Sequence, residues 1–109
     1  MNKWELWWAN VAFEDNPQQV KRRPVIVIDN QTAIIIAVKI TSHEPRPQFS
    51  GEYKLAYWCA AGLSKESTAR CKKLIRLQQQ DFLGKIGRLH PVDIAALQSI
   101  LRKLYGVNT

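Results

Sequence analysis

Two short runs of this chain hold side chains suited to binding and polarising a phosphate. They are Lys21-Arg22-Arg23, followed by Pro24, and Thr41-Ser42-His43. An arginine presents a planar fork of donors to two non-bridging oxygens, and hydroxyls add short hydrogen bonds without a repelling charge. An imidazole can carry a proton near neutral pH. Arg70 is a third candidate, because a strand interior is an odd place for an arginine without a counter-charge or a ligand. Plainer roles fit the same residues: Lys21-Arg22-Arg23 as a solvated turn, Thr41-Ser42 as local backbone caps, and His43 as a surface loop residue.

Other chemistries fail on pattern. The chain contains no Walker loop, GxGxxG, HExxH or GxSxG. His43 and His90 have no cysteine or acid at ligand spacing, so no metal site and no cofactor is expected. Cys59 and Cys71 form no CxxC pair, and free thiols in a reducing compartment are expected in preference to a bridge.

The elements that must position these residues are short and mostly extended. Trp4 to Phe13 reads as a strand, with Trp7, Ala9, Val11 and Phe13 on one face and Leu6 and Trp8 on the other, so both faces should be covered or used for contact. The polar stretch from Glu14 to Gln19 reads as a loop leading into Lys21-Arg22-Arg23-Pro24. Val25–Ile28 and Ala33–Ile40 read as a hairpin around Asp29-Asn30-Gln31-Thr32. That hairpin would bring the start of one strand and the end of the next to the same sheet edge, and with them Arg23, Thr41, Ser42 and His43. Between Glu52 and Leu63 a short helical turn is expected around Tyr57 to Ala61, ended by Gly62. Ser67–Cys71 with Lys73–Leu77 reads as one long or two short strands, and Lys85–Leu89 as another.

From His90 the chain turns helical. Pro91 suits the first helical position, Asp93 sets negative charge against unpaired N–H groups, and Gly106 supplies a stop. Ile94, Leu97, Leu101 and Leu104 form a stripe, widened by Ile100. The expected fold is mainly β: a small, bent sheet or partly closed barrel of five or so short strands with a C-terminal amphipathic helix. Residues 1–109 form one domain on this reading. Surplus apolar surface on the Trp-rich strand and the helix favours a homodimer.

Charge sharpens the reading. The net charge is +7, of which +1 lies in residues 1–50 and +6 in residues 51–109, so a positive face in the second half could attract phosphates or acidic protein. The longest apolar run, Ala33 to Val38, is too short to span a bilayer, and nothing resembles a secretory leader; a cytoplasmic protein without a membrane partner is expected.

A Trp-rich opening strand, a polar loop, Arg23-Pro24 followed by four aliphatics, an aliphatic strand ending Ile40-Thr41-Ser42, and Lys85-Ile86-Gly87-Arg88-Leu89 before the last helix occur here in order. In this the chain resembles the MazF/PemK (Kid-like) family of toxin endoribonucleases of type II toxin–antitoxin pairs. The resemblance implies an SH3-like barrel with a C-terminal helix, a homodimer, and cleavage of single-stranded RNA without a metal. It implies that Arg23, Thr41, Ser42 and Arg70 are catalytic. Gln18, at the family's loop position, is available for an acid–base or orienting role, as is His43, on the chemistry of its imidazole and not on the resemblance. RNA binding is assigned to Lys21, Arg22, Lys72, Lys73 and Arg76. It also implies an antitoxin partner, and DNA binding only within the antitoxin complex.

Departures from the family pattern define what to look for. Trp4-Glu5 stands where members usually have Gly-Asp, Gln18-Gln19 where they have Glu-Gln, and Lys72 where an acid follows the Arg70 position. Attack of a ribose 2′-hydroxyl on phosphorus needs a proton acceptor, charge stabilisation and a proton donor to the 5′-oxygen. With Gln18 and Lys72 in place the acceptor is the least supported role. The alternative is a catalytically weak or inactive nucleic-acid-binding module of the same fold.

Overall fold

The computed structural model describes residues 1–13 and 15–106. Its strands are β1 (Glu5–Ala12), β2 (Val20–Asp29), β3 (Ile35–Thr41), β4 (Glu52–Lys54), β5 (Thr68–Leu77) and β6 (Phe82–Arg88), followed by the helix α1 (Pro91–Tyr105). They form one antiparallel sheet in the order β4-β5-β3-β2-β1-β6. The mainly-β class with one terminal helix is as expected. The sheet is not closed, however, since β4 and β6 remain its two edges, and "barrel" describes it only approximately.

The strand alternation read from the sequence builds two cores. Leu6, Ile26, Val38 and Ile40 point to one face, where Leu97 and Leu101 of α1 cover them. Ala9, Val11, Val25 and Ala37 point to the other, covered by Trp7, Ile75 and Phe82. No residue of α1 is among the side chains of that second core. Leu97 and Leu101 are buried within the chain itself, each worth ~1.5–3 kcal/mol, and this much of the helix stripe is not surplus.

Two local expectations are corrected and a third is extended. Lys21-Arg22-Arg23 is no loop or turn: β2 starts at Val20, and Arg23 pairs with Ala9. The β1 ladder runs on past the end of β3, and that pairing holds the basic run extended. Secondly, Glu52–Lys54 is a strand, and Tyr57–Ala61 is a series of hydrogen-bonded turns with one helix-like bond, Ala61 N–H to the Tyr57 carbonyl. Gly62, at φ 100°, ends the turns. Thirdly, Asp93 stands in the first turn of its helix, as expected, but its hydrogen bonds run to other segments. It is fully buried, and it accepts hydrogen bonds from the Tyr53 hydroxyl (2.6 Å) and the amides of Ala56 (3.0 Å) and Tyr57 (2.9 Å). Burial, reinforced by Asp93, pushes the Tyr53 phenol up to about 12. The helix is capped instead by His90, whose Nδ1 accepts from the Val92 amide, while Gly106 ends it in the left-handed conformation.

Two close approaches hold the turn segment against β6. A Cβ at Gly87 would lie 2.1 Å from the Ala61 carbonyl oxygen, and one at Gly62 would lie 2.6 Å from that of Ile86. At the other end of the chain, Trp4 has φ 71°, the one positive value at a non-glycine among the described residues. That backbone costs roughly 1–2 kcal/mol. Burial of the indole and hydrogen bonds to Val27 and Leu89 offset it. The backbone shape that glycine would adopt freely is therefore kept here by a tryptophan locked into the core.

Candidate nucleic-acid interface

The site begins where the β2–β3 ladder stops. Its last pair on this side is Val25 with Lys39. The same register would set Pro24 opposite Ile40 and Arg23 opposite Thr41, but proline has no N–H to donate. Arg23 thus stays fixed by β1 on one side and opens toward Thr41 on the other. A cleft of about 380 Å³ lies here, lined among others by Trp8, Lys21, Arg22, Arg23, Thr41, Ser42, His43 and Lys65. Its far wall, Gly62-Leu63-Ser64, is the segment held down by Gly87.

A smaller niche adjoins it. Arg23, Thr41 and His43 line both, and the niche adds Lys39, Arg46 and Arg70. Arg70 in turn lines a third depression with Phe49, Ser50, Glu52, Lys72 and Lys73. Shared residues make the three one continuous basic trough. No carboxylate lines the first two parts among the described residues. Positive charge held in concave walls focuses the field on a polyanion.

Hydrogen bonds orient several of these groups. The His43 amide donates to Thr41 Oγ1 (3.4 Å), and Thr68 Oγ1 donates to the His43 carbonyl (2.5 Å). Thr41 therefore uses its oxygen internally and keeps its hydroxyl proton for a ligand. The Arg22 guanidinium lies 4.5 Å over the Trp8 ring, which keeps it flat against the cleft wall. Arg46 stacks likewise on Phe49, at 4.2 Å.

A bulge in β5 aims Arg70. Pairing with β3 jumps from Val38–Leu74 to Lys39–Arg70, so Cys71, Lys72 and Lys73 have no opposite residue on β3. Arg70 then pairs with Glu52 on β4. Its Nε lies 3.2 Å from Glu52 Oε2, close enough for an ion pair but not aligned as a hydrogen bond. Glu52 also binds Arg46, through its Nη2 (2.8 Å), Nε (3.4 Å) and backbone amide (2.9 Å). The Arg46 guanidinium is the main cause holding the Glu52 carboxyl below its ordinary range.

The structure thus gathers Lys21, Arg22, Arg23, Thr41, Ser42 and His43 in one cleft, and Arg70 beside it. Lys72 and Lys73 reach the third depression. Gln18 sits on the exposed β1–β2 turn and lines none of these walls. Arg76 pairs with Ile36, five residues along β3 from Thr41 and so roughly 15 Å from the cleft mouth. Sequence reasoning missed Arg46 and Glu52, because the acid is 18 residues from its strand partner and only the β4–β5 register joins them. The counter-charge sought for Arg70 was the available signal. Cys59 is exposed and Cys71 buried, both as free thiols, and burial pushes the Cys71 thiol up to about 12. Among the described residues no group of three or more His, Cys, Asp or Glu could hold a metal ion, and no helix is long and apolar enough to cross a membrane.

Comparison with known proteins places this geometry. Residues 2–105 match the family model described as the PemK-like, MazF-like toxin of type II toxin–antitoxin system. Endoribonuclease MazF6 of Mycobacterium tuberculosis is 27% identical over 100 residues, which cover 82% of this chain and 87% of the relative. The crystal structure of MazF from Deinococcus radiodurans superposes with a TM-score of 0.74 at 18% identity, covering 98% of this chain and 97% of that one. An endoribonuclease in complex with its cognate antitoxin, from a mycobacterial species, gives 0.73 at 12% identity over 98% and 96%. At these identities the structural likeness speaks to the fold.

Proposed function

The chain belongs to the PemK-like, MazF-like toxin family, and from that premise we propose that it is a toxin endoribonuclease that cuts single-stranded RNA without a metal and is restrained by an antitoxin. The observation that carries this reading is the trough in which Arg23, Thr41, His43 and Arg70 meet. Arginine forks at a preorganised, concave site suit the charge that develops on phosphorus during in-line attack.

The chemistry follows from what each group can do. Arg23 and Arg70 hold the non-bridging oxygens, and the Thr41 hydroxyl proton, free of internal use, donates to the phosphate; Ser42 lies beside it. The ribose 2′-oxygen bonds to phosphorus as the bond to the 5′-oxygen breaks, leaving a 2′,3′-cyclic phosphate and a 5′-hydroxyl. The 2′-hydroxyl proton goes to an acceptor, and a proton is supplied to the departing oxygen. His43 takes the acceptor role, because it lines both parts of the trough that contain Arg23 and Thr41 and neither part holds a carboxylate. Lys21, Arg22, Lys72 and Lys73 attract the flanking backbone.

The protein works as a homodimer in the cytoplasm, and an acidic antitoxin segment competes with RNA for the trough; DNA binding is confined to the antitoxin complex. Solved structures of similar fold in complex with their antitoxins support that partner. One observation favours a second reading, that of a catalytically weak RNA-binding module: Lys72 stands in the trough at the acidic position of the family pattern. Purified protein incubated with labelled RNA of varied sequence in excess EDTA decides between them. Cyclic phosphate and 5′-hydroxyl ends are expected, and binding without cutting would establish the second reading. Sedimentation at tens of micromolar is expected to show twice the 12.5 kDa chain mass.

A further inference from the structure

We propose that Glu52 is a positioning residue of this site: one buried carboxylate that sets both Arg46 and Arg70 in the trough. The inference rests on the nuclease reading and goes beyond it by assigning a role to residues outside the motifs that carry the family resemblance.

The geometry is specific. The Glu52 side chain is 4% exposed, and both its oxygens are used. Oε1 accepts from the Arg46 amide and Nε, and Oε2 accepts from Arg46 Nη2 and faces Arg70 Nε. The Arg46 bonds pin the β3–β4 loop, which carries His43, onto β4. The Arg70 contact engages the Nε edge of a guanidinium whose residue lines both the niche and the depression that Glu52 lines. Arg70 Nε is buried, and Glu52 is its one ion-pair partner among the described residues.

Electrostatics explains why an acid is needed. Arg23, Lys39, Arg46 and Arg70 line one niche of about 150 Å³. Crowded like charges repel, and long side chains would turn out to solvent unless a counter-charge fixed them. Glu52 supplies that charge from the adjoining depression, which it lines with Arg70, so the niche itself holds no carboxylate. Cross-strand pairing delivers Glu52 directly opposite Arg70. Both Glu52 oxygens are taken up by Arg46 and Arg70, and the Arg46 guanidinium makes the carboxylate a weaker base, so Glu52 acts through the arginines.

The test uses full-length protein and a single-stranded RNA substrate. Glu52→Gln is expected to lower kcat at least tenfold with little change in KM, while Glu52→Asp retains part of the rate. Arg70→Ala should be partly rescued by millimolar guanidinium, and the Arg70→Ala, Glu52→Gln double variant should not, because the carboxylate that docks the free cation is gone. Equal rescue in both backgrounds, or an unchanged kcat in a folded Glu52→Gln, overturns the inference while leaving the nuclease reading intact. A separate arm needs no catalysis: the Nε–Hε resonances of Arg46 and Arg70 should be sharp and slowly exchanging in the parent and lost in Glu52→Gln. If that variant does not fold, Arg46→Met cuts one arm of the same clasp and is expected to broaden the Arg70 resonance; an unaltered Arg70 signal refutes the shared carboxylate. A parent protein that cuts no RNA refutes the nuclease reading and with it the catalytic part of this role, whatever the resonances show.

Discussion

Arg23 and Thr41 face a common cleft from two strands whose ladder ends two residues before they would pair, at Val25 and Lys39. Proline at 24 ends the hydrogen bonding, and the β1 pairing keeps Arg23 from following its strand into solvent. The gap so made presents a guanidinium on one side and a hydroxyl on the other.

Arg23→Lys keeps the charge but removes the planar fork, and Arg23→Ala removes both. Loss of a preorganised donor to developing charge costs ~3 kcal/mol, about a hundredfold or more in rate. Both variants should show that loss in kcat for RNA cleavage, and Thr41→Val, near-isosteric without the hydroxyl, should fall nearly as far with its melting temperature kept. Cleavage by Arg23→Ala at the parental rate would remove the enzymatic reading.

His43→Ala tests the proton acceptor. A positioned general base contributes about 10²–10⁴-fold, so cleavage should drop by that range while RNA affinity changes little. A rate within a few fold of the parent would move the acceptor role elsewhere.

Affinity for RNA should fall as salt rises, by roughly 0.7 log units per log unit of salt for each phosphate neutralised. Lys21→Ala and Arg22→Ala should each reduce that slope by about this amount in a titration against a fluorescent oligonucleotide, because both line the cleft. A slope of zero for the parent would point away from nucleic acid altogether.

Acid stability should depend on Glu5. Its carboxyl is held down at about 2, chiefly by the Asn2 amide and then by Lys85, with Trp7 Nε1 as a further donor. A lowered folded-state value gives stability that is complete above the unfolded value of 4.5 and is lost as pH falls toward 2. Glu5→Gln should lower the melting temperature at pH 7 and flatten its dependence across that window, by on the order of 2 kcal/mol after solvent screening. An unchanged pH profile would refute the assignment.

Gly87→Ala should be among the most damaging single-methyl changes, since its Cβ would meet the Ala61 carbonyl oxygen at 2.1 Å. We expect a loss of more than ~3 kcal/mol in chemical denaturation. A variant as stable as the parent would mean that the turn segment is free to move off β6.

Local chemistry determined much of this protein before any tertiary contact. Period-two alternation in Trp4–Phe13 marked both faces of β1 as covered or used for contact, and the β-branched run to Ile40 marked a strand, because these patterns depend only on local side-chain chemistry and alternation across a pleat. Pro91 and Gly106 bounded the helix for equally local reasons of backbone geometry. The meeting of Arg23 with Thr41 was also legible, since a hairpin joins its ends whatever surrounds it. What only the tertiary structure decided were pairings between distant segments. Lys21–Arg23 became a strand because β1 supplied its hydrogen bonds, Asp93 at its helix start gained the amides of residues 56 and 57 as donors, and Glu52 fell opposite Arg70 on a bulged strand. Such contacts follow from register and from the burial of a charge that must find partners, and neither is written in the spacing of residues along one segment.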